Sequence, residues 1–179
     1  EQDPLELVES VRQVIIGVLN KANISAKDIE AVGITNQRET TILWDKKTGK
    51  PVNKAIVWQS RQSEKICKEW IEKGYNDKVL EKTGLIINPY FSASKIKWIL
   101  ENTKGLEDKL SKGEILFGTV DTYLIWNLSK GKLHITDYTN ASRTMLFNIK
   151  ELKWDEELLE KFYIPKSILP KVVPSSGNL

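Results

Sequence analysis

Apolar residues alternate with polar ones at two different periods along this chain, and the period changes mark its elements. Val8, Val11, Ile15 and Val18 recur three and four positions apart, which predicts a helix with one apolar face. Asp3 suits its N-cap, Pro4 its first helical position, and Glu6 stands at capping-box spacing. Ile29 to Thr35 is short, β-branched and mostly apolar, the pattern of a strand buried in an α/β sheet. Thr40 to Trp44, a turn from Asp45 to Pro51 containing Gly49, and Ala55 to Trp58 read as strand, turn and strand.

Helical spacing returns from Ser60 to Lys73, with Ile66, Trp70 and Ile71 facing inward and Gly74 as a stop. A short helix over Asn76 to Lys82 is closed by Gly84. Pro89 breaks the chain before a helix around Ser94 to Asn102 that buries Ile96, Ile99 and Leu100. Gly105 and Gly113 bracket another short helix. Ile115 to Val120 predicts a strand, and Asp121 the cap of a helix carrying Leu124, Ile125 and Leu128. Lys132 to Thr136 and Met145 to Ile149 predict strands, Asp155 caps a helix to about Phe162, and the proline-spaced remainder predicts turns and extended chain. The order is that of a mixed α/β protein, without internal repeats.

The length of 179 residues suits one domain, and 40% hydrophobic residues suffice for a core. Lys and Arg number 27 against 24 Asp and Glu, too small and too scattered an excess for a nucleic-acid or membrane-surface binder. The longest uncharged apolar run, Val14 to Leu19, is far short of the roughly 20 residues of a membrane span. A single cysteine, Cys67, excludes an internal disulfide and points to a reducing, cytoplasmic setting. The single histidine, His134, leaves a metal site short of ligands and reads as an exposed structural residue on an edge strand. Met145 is the only methionine and Pro174 to Leu179 has loop chemistry, so the chain is expected to be a piece of something larger.

Asn36-Gln37-Arg38-Glu39-Thr40-Thr41 follows a predicted strand, where open α/β sheets bind ligands. Arg38 supplies a fork of donors and an ionised Glu39 only acceptors, a combination that suits neighbouring hydroxyls. On spacing alone a solvated turn is the favoured reading of the pair. Trp58 ends a predicted strand and can lie against a polyol carbon chain, or simply belong to the core. Tyr90 sits at the bend forced by Asn88-Pro89, where its hydroxyl could meet a ligand or its ring fill a gap. Thr136 to Arg143 is a dense polar loop of the kind that lines clefts or builds turns. Neither a P-loop nor a dinucleotide-binding glycine pattern occurs.

The string Gly33-Ile34-Thr35-Asn36-Gln37-Arg38-Glu39-Thr40-Thr41 resembles the FGGY family of carbohydrate kinases. Further matches are Ala55-Ile56-Val57-Trp58-Gln59, Asn88-Pro89-Tyr90-Phe91-Ser92, Phe117-Gly118-Thr119-Val120-Asp121-Thr122 and the run Thr136 to Ile149. Tyr90-x-Ser92-x-x-Lys95-Ile96-x-Trp98-Ile99-x-Glu101-Asn102 fits the family's general signature. The Arg-Glu pair and the aromatics narrow the likeness to the members that phosphorylate glycerol. A kinase for another sugar or polyol of the xylulose type, and a stand-alone carbohydrate-binding module, are the alternatives.

The resemblance implies an incomplete lobe of the actin-like, ribonuclease-H-like ATPase fold, with a mixed sheet and flanking helices. It implies that residues 1–179 are most of the N-terminal, polyol-binding lobe, and that Arg38, Glu39, Trp58 and Tyr90 contact glycerol. The family's phosphate loop, general-base aspartate and adenosine loops have no counterpart here. ATP and Mg2+ therefore belong to the full-length enzyme, a homo-oligomer by the same implication, and no catalytic residue is expected in this chain. The fragment alone is expected to be inactive and, with a sheet edge uncovered, prone to self-association.

Overall fold

The computed structural model describes residues 1–177; Asn178 and Leu179, the end of the predicted terminal loop, lie outside them. Eight helices occur among the described residues: α1 (Pro4–Ala22), α2 (Glu64–Glu72), α3 (Asn76–Thr83), α4 (Ser92–Asn102), α5 (Leu106–Ser111), α6 (Val120–Leu128), α7 (Tyr138–Ala141) and α8 (Glu156–Phe162). The strands are β1 (Ile42–Asp45), β2 (Ile115–Gly118), β3 (Ile135–Asp137), β4 (Phe147–Asn148), β5 (Lys153–Trp154) and β6 (Lys171–Val173). None of these helices is long and apolar enough to cross a membrane.

The strands pair two by two: β1 with β2 antiparallel, β3 with β6 parallel, and β4 with β5 antiparallel. Both strand senses are present, as a mixed sheet requires, but in three separate ladders.

The β1–β2 ladder divides the interior. Successive strand residues point to opposite faces. Leu43 and Phe117 accordingly join the larger core with Trp70, Ile96, Ile99 and Phe162. Ile42, Trp44 and Leu116 turn the other way, to the smaller core of Val8, Tyr123 and Leu124. In the larger core Trp70 stacks on Phe162 with ring centroids 3.8 Å apart. Asp155 joins this core to the surface: it caps α8 by accepting from the Leu158 N–H, and it receives the Lys82 ammonium at 2.8 Å.

Several expectations are corrected. Ile29 to Thr35 forms no strand: among the described residues nothing pairs with it, and it runs as exposed chain with Val32 70% exposed. A β-branched run favours extended backbone, but a strand exists only with a partner. Ala55 to Trp58 is reduced to isolated bridges, Ala55 with Gln2 and Ile56 with Thr41.

The Asp3 cap and N-terminal Pro4 of α1 are present, with Asp3 accepting from the Leu5 N–H. Of its predicted apolar face, Val8 is buried whereas Ile15 and Val18 are exposed. The capping box forms at Ser25 and Asp28, on a single 3-10 turn, and not at the spacing read at Asp3 and Glu6. Ile71 and Leu128 are exposed and Leu100 is only partly buried. His134 is not exposed: its Nε2 lies 2.8 Å from the Phe117 carbonyl and its ring meets Trp44 edge to face. Burial pulls its pKa down. The role is structural, as read.

Two glycines in different settings test this packing. A Cβ on Gly118 would stand 2.5 Å from Thr122 Cβ and 3.1 Å from the Trp44 ring, whereas one on Gly17, inside α1, meets nothing within 4 Å. Gly118→Ala is expected to lower stability by ~1–3 kcal/mol through overpacking. Gly17→Ala is expected to raise it by ~0.5–1 kcal/mol, by helix propensity. Urea titrations of both variants check the pair, and equal effects would refute the packing described.

Candidate functional site

The stretch before β1 is organised by backbone pairing. Thr41 and Ile56 exchange both hydrogen bonds, at 2.9 and 3.0 Å. The pairing is an isolated bridge, flanked by turns at Arg38–Glu39 on one side and Trp58–Gln59 on the other. Trp58 is 40% exposed, and its ring meets Tyr90 edge to face with centroids 5.8 Å apart. Tyr90 follows a proline bend secured by its own N–H, which donates to Asn88 Oδ1 at 2.9 Å. Pairing of β1's approach with the Ala55 segment, and the Asn88-Pro89 bend, thus bring residues from three stretches to one place.

Glu39 is buried, at 3% exposure, and adopts a left-handed backbone with φ of 62°. Such a conformation costs a non-glycine residue on the order of 1–3 kcal/mol and persists only where surroundings hold it. Two basic side chains hold this one. Lys95, fully buried on α4, donates from Nζ to the Glu39 carbonyl at 3.1 Å and also to the Tyr90 carbonyl. Arg143 donates from Nε to Glu39 Oε1 at 2.8 Å, and its guanidinium lies over the rings of Phe91 and Tyr90, at 4.9 and 5.9 Å. Pairing offsets the cost of burying the carboxylate.

A second polar group is centred on Asp121. Its Oδ1 accepts from Asn36 Nδ2 at 3.1 Å and from Thr119 Oγ1; its Oδ2 accepts from Thr136 Oγ1 at 2.8 Å and Asn140 Nδ2 at 3.2 Å. Burial raises its pKa while the Thr119 and Thr136 hydroxyls oppose the rise. Asp121 was expected to cap α6, but the N-cap is Thr119, and the Asp121 N–H is taken by Asn36 Oδ1 at 2.9 Å. The polar loop Thr136 to Arg143 folds into β3 and α7, capped by Asp137, and the Asn36–Asn140 contact at 2.9 Å ties it to the chain before Glu39.

Of the residues singled out from sequence, Glu39, Trp58 and Tyr90 are therefore joined through shared contacts. Arg38 is exposed in the same turn, and no recorded contact among the described residues joins it to the other three. Sequence reading missed Lys95 and Arg143 as parts of this cluster. The available signal was weak: a lysine at position 95 directly before inward-facing Ile96 and Ile99, and an arginine closing a polar loop. The described residues offer no group of three or more His, Cys, Asp or Glu side chains placed to hold a metal ion.

The chain matches the FGGY family of carbohydrate kinases, N-terminal domain, over residues 1–179. It is 57% identical over 176 residues to a glycerol kinase of Caldanaerobacter subterraneus, covering 98% of this chain and 35% of that protein. To a glycerol kinase of Bacillus subtilis it is 60% identical, covering 98% of this chain and 36% of that one. The chain thus spans about a third of the length of these curated relatives. Among solved structures, Plasmodium falciparum glycerol kinase with ADP superposes with a TM-score of 0.82 at 39% identity, over 96% of this chain and 34% of that one. A gluconate kinase from Lactobacillus acidophilus gives 0.80 at 24% identity, over 97% and 33%, a likeness of fold alone.

The buried amine provides a test of the cluster. Burial pulls Lys95 down to about 7, with Glu39 and Cys67 opposing, so its folded-state value lies below its ordinary 10.5. Between those values the unfolded chain binds more protons, so this residue makes stability rise with pH; below about 7 its full cost is felt. Relative to Lys95→Met, the native chain is expected to gain roughly 2 kcal/mol between pH 7 and 9. Urea unfolding across that window reads it, and parallel pH curves for the two proteins would contradict it.

Proposed function

Since the chain belongs to the FGGY family of carbohydrate kinases, we propose that it is the polyol-binding part of a glycerol kinase, which transfers the γ-phosphoryl group of ATP to glycerol to give sn-glycerol 3-phosphate. The single observation that carries the polyol assignment is the convergence of Glu39, Trp58 and Tyr90 beside exposed Arg38.

In this reading Arg38 donates to a glycerol hydroxyl and Glu39 accepts from one. Each hydroxyl both gives and takes a hydrogen bond, so a donor and an acceptor side by side suit vicinal hydroxyls. Tyr90 adds a hydroxyl contact, and Trp58 covers the carbon side, where an apolar ring excludes water. Holding the alcohol in one orientation is the share of catalysis this chain would supply.

ATP and Mg2+ follow from the family reading but do not fit the residues present. The sequence has no glycine-rich phosphate loop, and the described residues hold no cluster of metal-binding side chains. In this reading both are bound by segments of the full-length enzyme outside this chain, as is the general base. Residues 1–179 are then most of the N-terminal lobe of a cytoplasmic, homo-oligomeric enzyme, a setting that follows from the family reading.

A full-length protein carrying this chain is expected to consume ATP in the presence of glycerol and much less with xylulose or gluconate. Arg38→Ala should lower kcat/KM for glycerol by roughly 5- to 150-fold, the equivalent of ~1–3 kcal/mol for a lost charged hydrogen bond. A coupled ADP-release assay measures both. Turnover with xylulose exceeding that with glycerol, or an unaltered Arg38→Ala enzyme, would overturn the reading.

A further inference from the structure

The carboxylate of Glu39 has two oxygens, and they are not equivalent. Oε1 accepts from Arg143 Nε at 2.8 Å, and no hydrogen bond of Oε2 is recorded among the described residues. Arg143 is itself fixed. Its N–H donates to the Asn140 carbonyl at 3.1 Å, and the next carbonyl along, that of Thr144, accepts from the Ala93 N–H on α4 at 2.9 Å. Its guanidinium packs on the Phe91 and Tyr90 rings, so the fork is held by apolar faces as well as by charge.

Arg38, the nearer arginine in sequence, lies exposed and makes no ion pair with Glu39. A buried carboxylate needs a partner. Were Arg38 that partner, the two groups would satisfy each other and present little to a ligand.

We propose that Arg143 is a positioning residue for the polyol site: it occupies one oxygen of Glu39, leaves the other as the sole acceptor for a substrate hydroxyl, and frees Arg38 to act as donor. This rests on the reading of Glu39 as a glycerol contact. Arg143 touches the substrate at no point in this arrangement. It acts through Glu39, over 104 positions of sequence, by fixing where one lone pair points. The device favours a ligand that offers one hydroxyl to Oε2 and a neighbouring oxygen to Arg38, a vicinal diol, over one with a single hydroxyl.

The test is steady-state kinetics on the full-length protein with Arg143→Ala, Arg143→Lys, Glu39→Gln and the Arg143→Ala/Glu39→Gln double variant. Arg143→Ala is expected to raise the glycerol KM about 10- to 100-fold with the ATP KM unchanged and kcat within a few-fold, and Arg143→Lys to recover part of the loss. In the Glu39→Gln background, removing Arg143 is expected to change the glycerol KM less than about 3-fold, because the group it positions is already altered. An Arg143→Ala enzyme with unaltered glycerol KM beside an impaired Glu39→Gln enzyme overturns this inference and spares the reading of Glu39. The same holds for a loss equal in both backgrounds, or one confined to kcat. An unimpaired Glu39→Gln enzyme overturns the reading of Glu39 and this inference with it. Urea midpoints of the variants, and the Arg143→Lys rescue, separate positioning from a general loss of fold.

Discussion

Glu39 is held by two basic side chains that come from remote parts of the chain, and that grip fixes the acidic member of the candidate site. Lys95 binds its carbonyl and Arg143 its carboxylate, from 56 and 104 positions away. Without them a buried acidic side chain on a left-handed backbone would combine two costs, strain and an unpaired charge. With them the same residue becomes a fixed acceptor. Lys95 also binds the Tyr90 carbonyl, so one amine sets the spacing between an acidic and an aromatic member of the site.

That grip depends in turn on the two-core interior. The β1–β2 ladder is the wall between the cores, and Glu39 stands three residues before β1. Helix α4 enters the larger core with Ile96 and Ile99, which carries Lys95 beneath the Glu39 turn. The buried Asp121 cluster performs the same service on the other side. It anchors the segment containing Asn36 to α6 and to the loop that ends in Arg143. The site is therefore assembled where a strand, a helix and a polar loop meet, each brought there by its own burial.

Much of this was legible in the sequence where the controlling physics is local. The Asp3 and Asp155 caps, the left-handed stop at Gly84 and the proline bend before Tyr90 depend on neighbours a few residues away. Arg38, Glu39, Trp58 and Tyr90 stood out because donor, acceptor and ring types collect where strands end. What failed was non-local. Ile29 to Thr35 has strand composition but no partner among the described residues, and Ala55 to Trp58 gains bridges in place of a ladder. Asp121 follows the rule for a cap, yet Asn36, 85 positions away, takes its N–H. Lys95 and Arg143 were unreadable as site residues for the same reason: composition gives their charge, and only the tertiary contact gives their address.

The most direct measurement is a crystal structure of the full-length protein with glycerol bound. The account predicts a glycerol hydroxyl within about 3 Å of Glu39 Oε2, another oxygen at the Arg38 guanidinium, and the carbon chain against Trp58, with Arg143 still on Glu39 Oε1. Glycerol bound elsewhere, with none of these side chains in contact with it, would contradict the account.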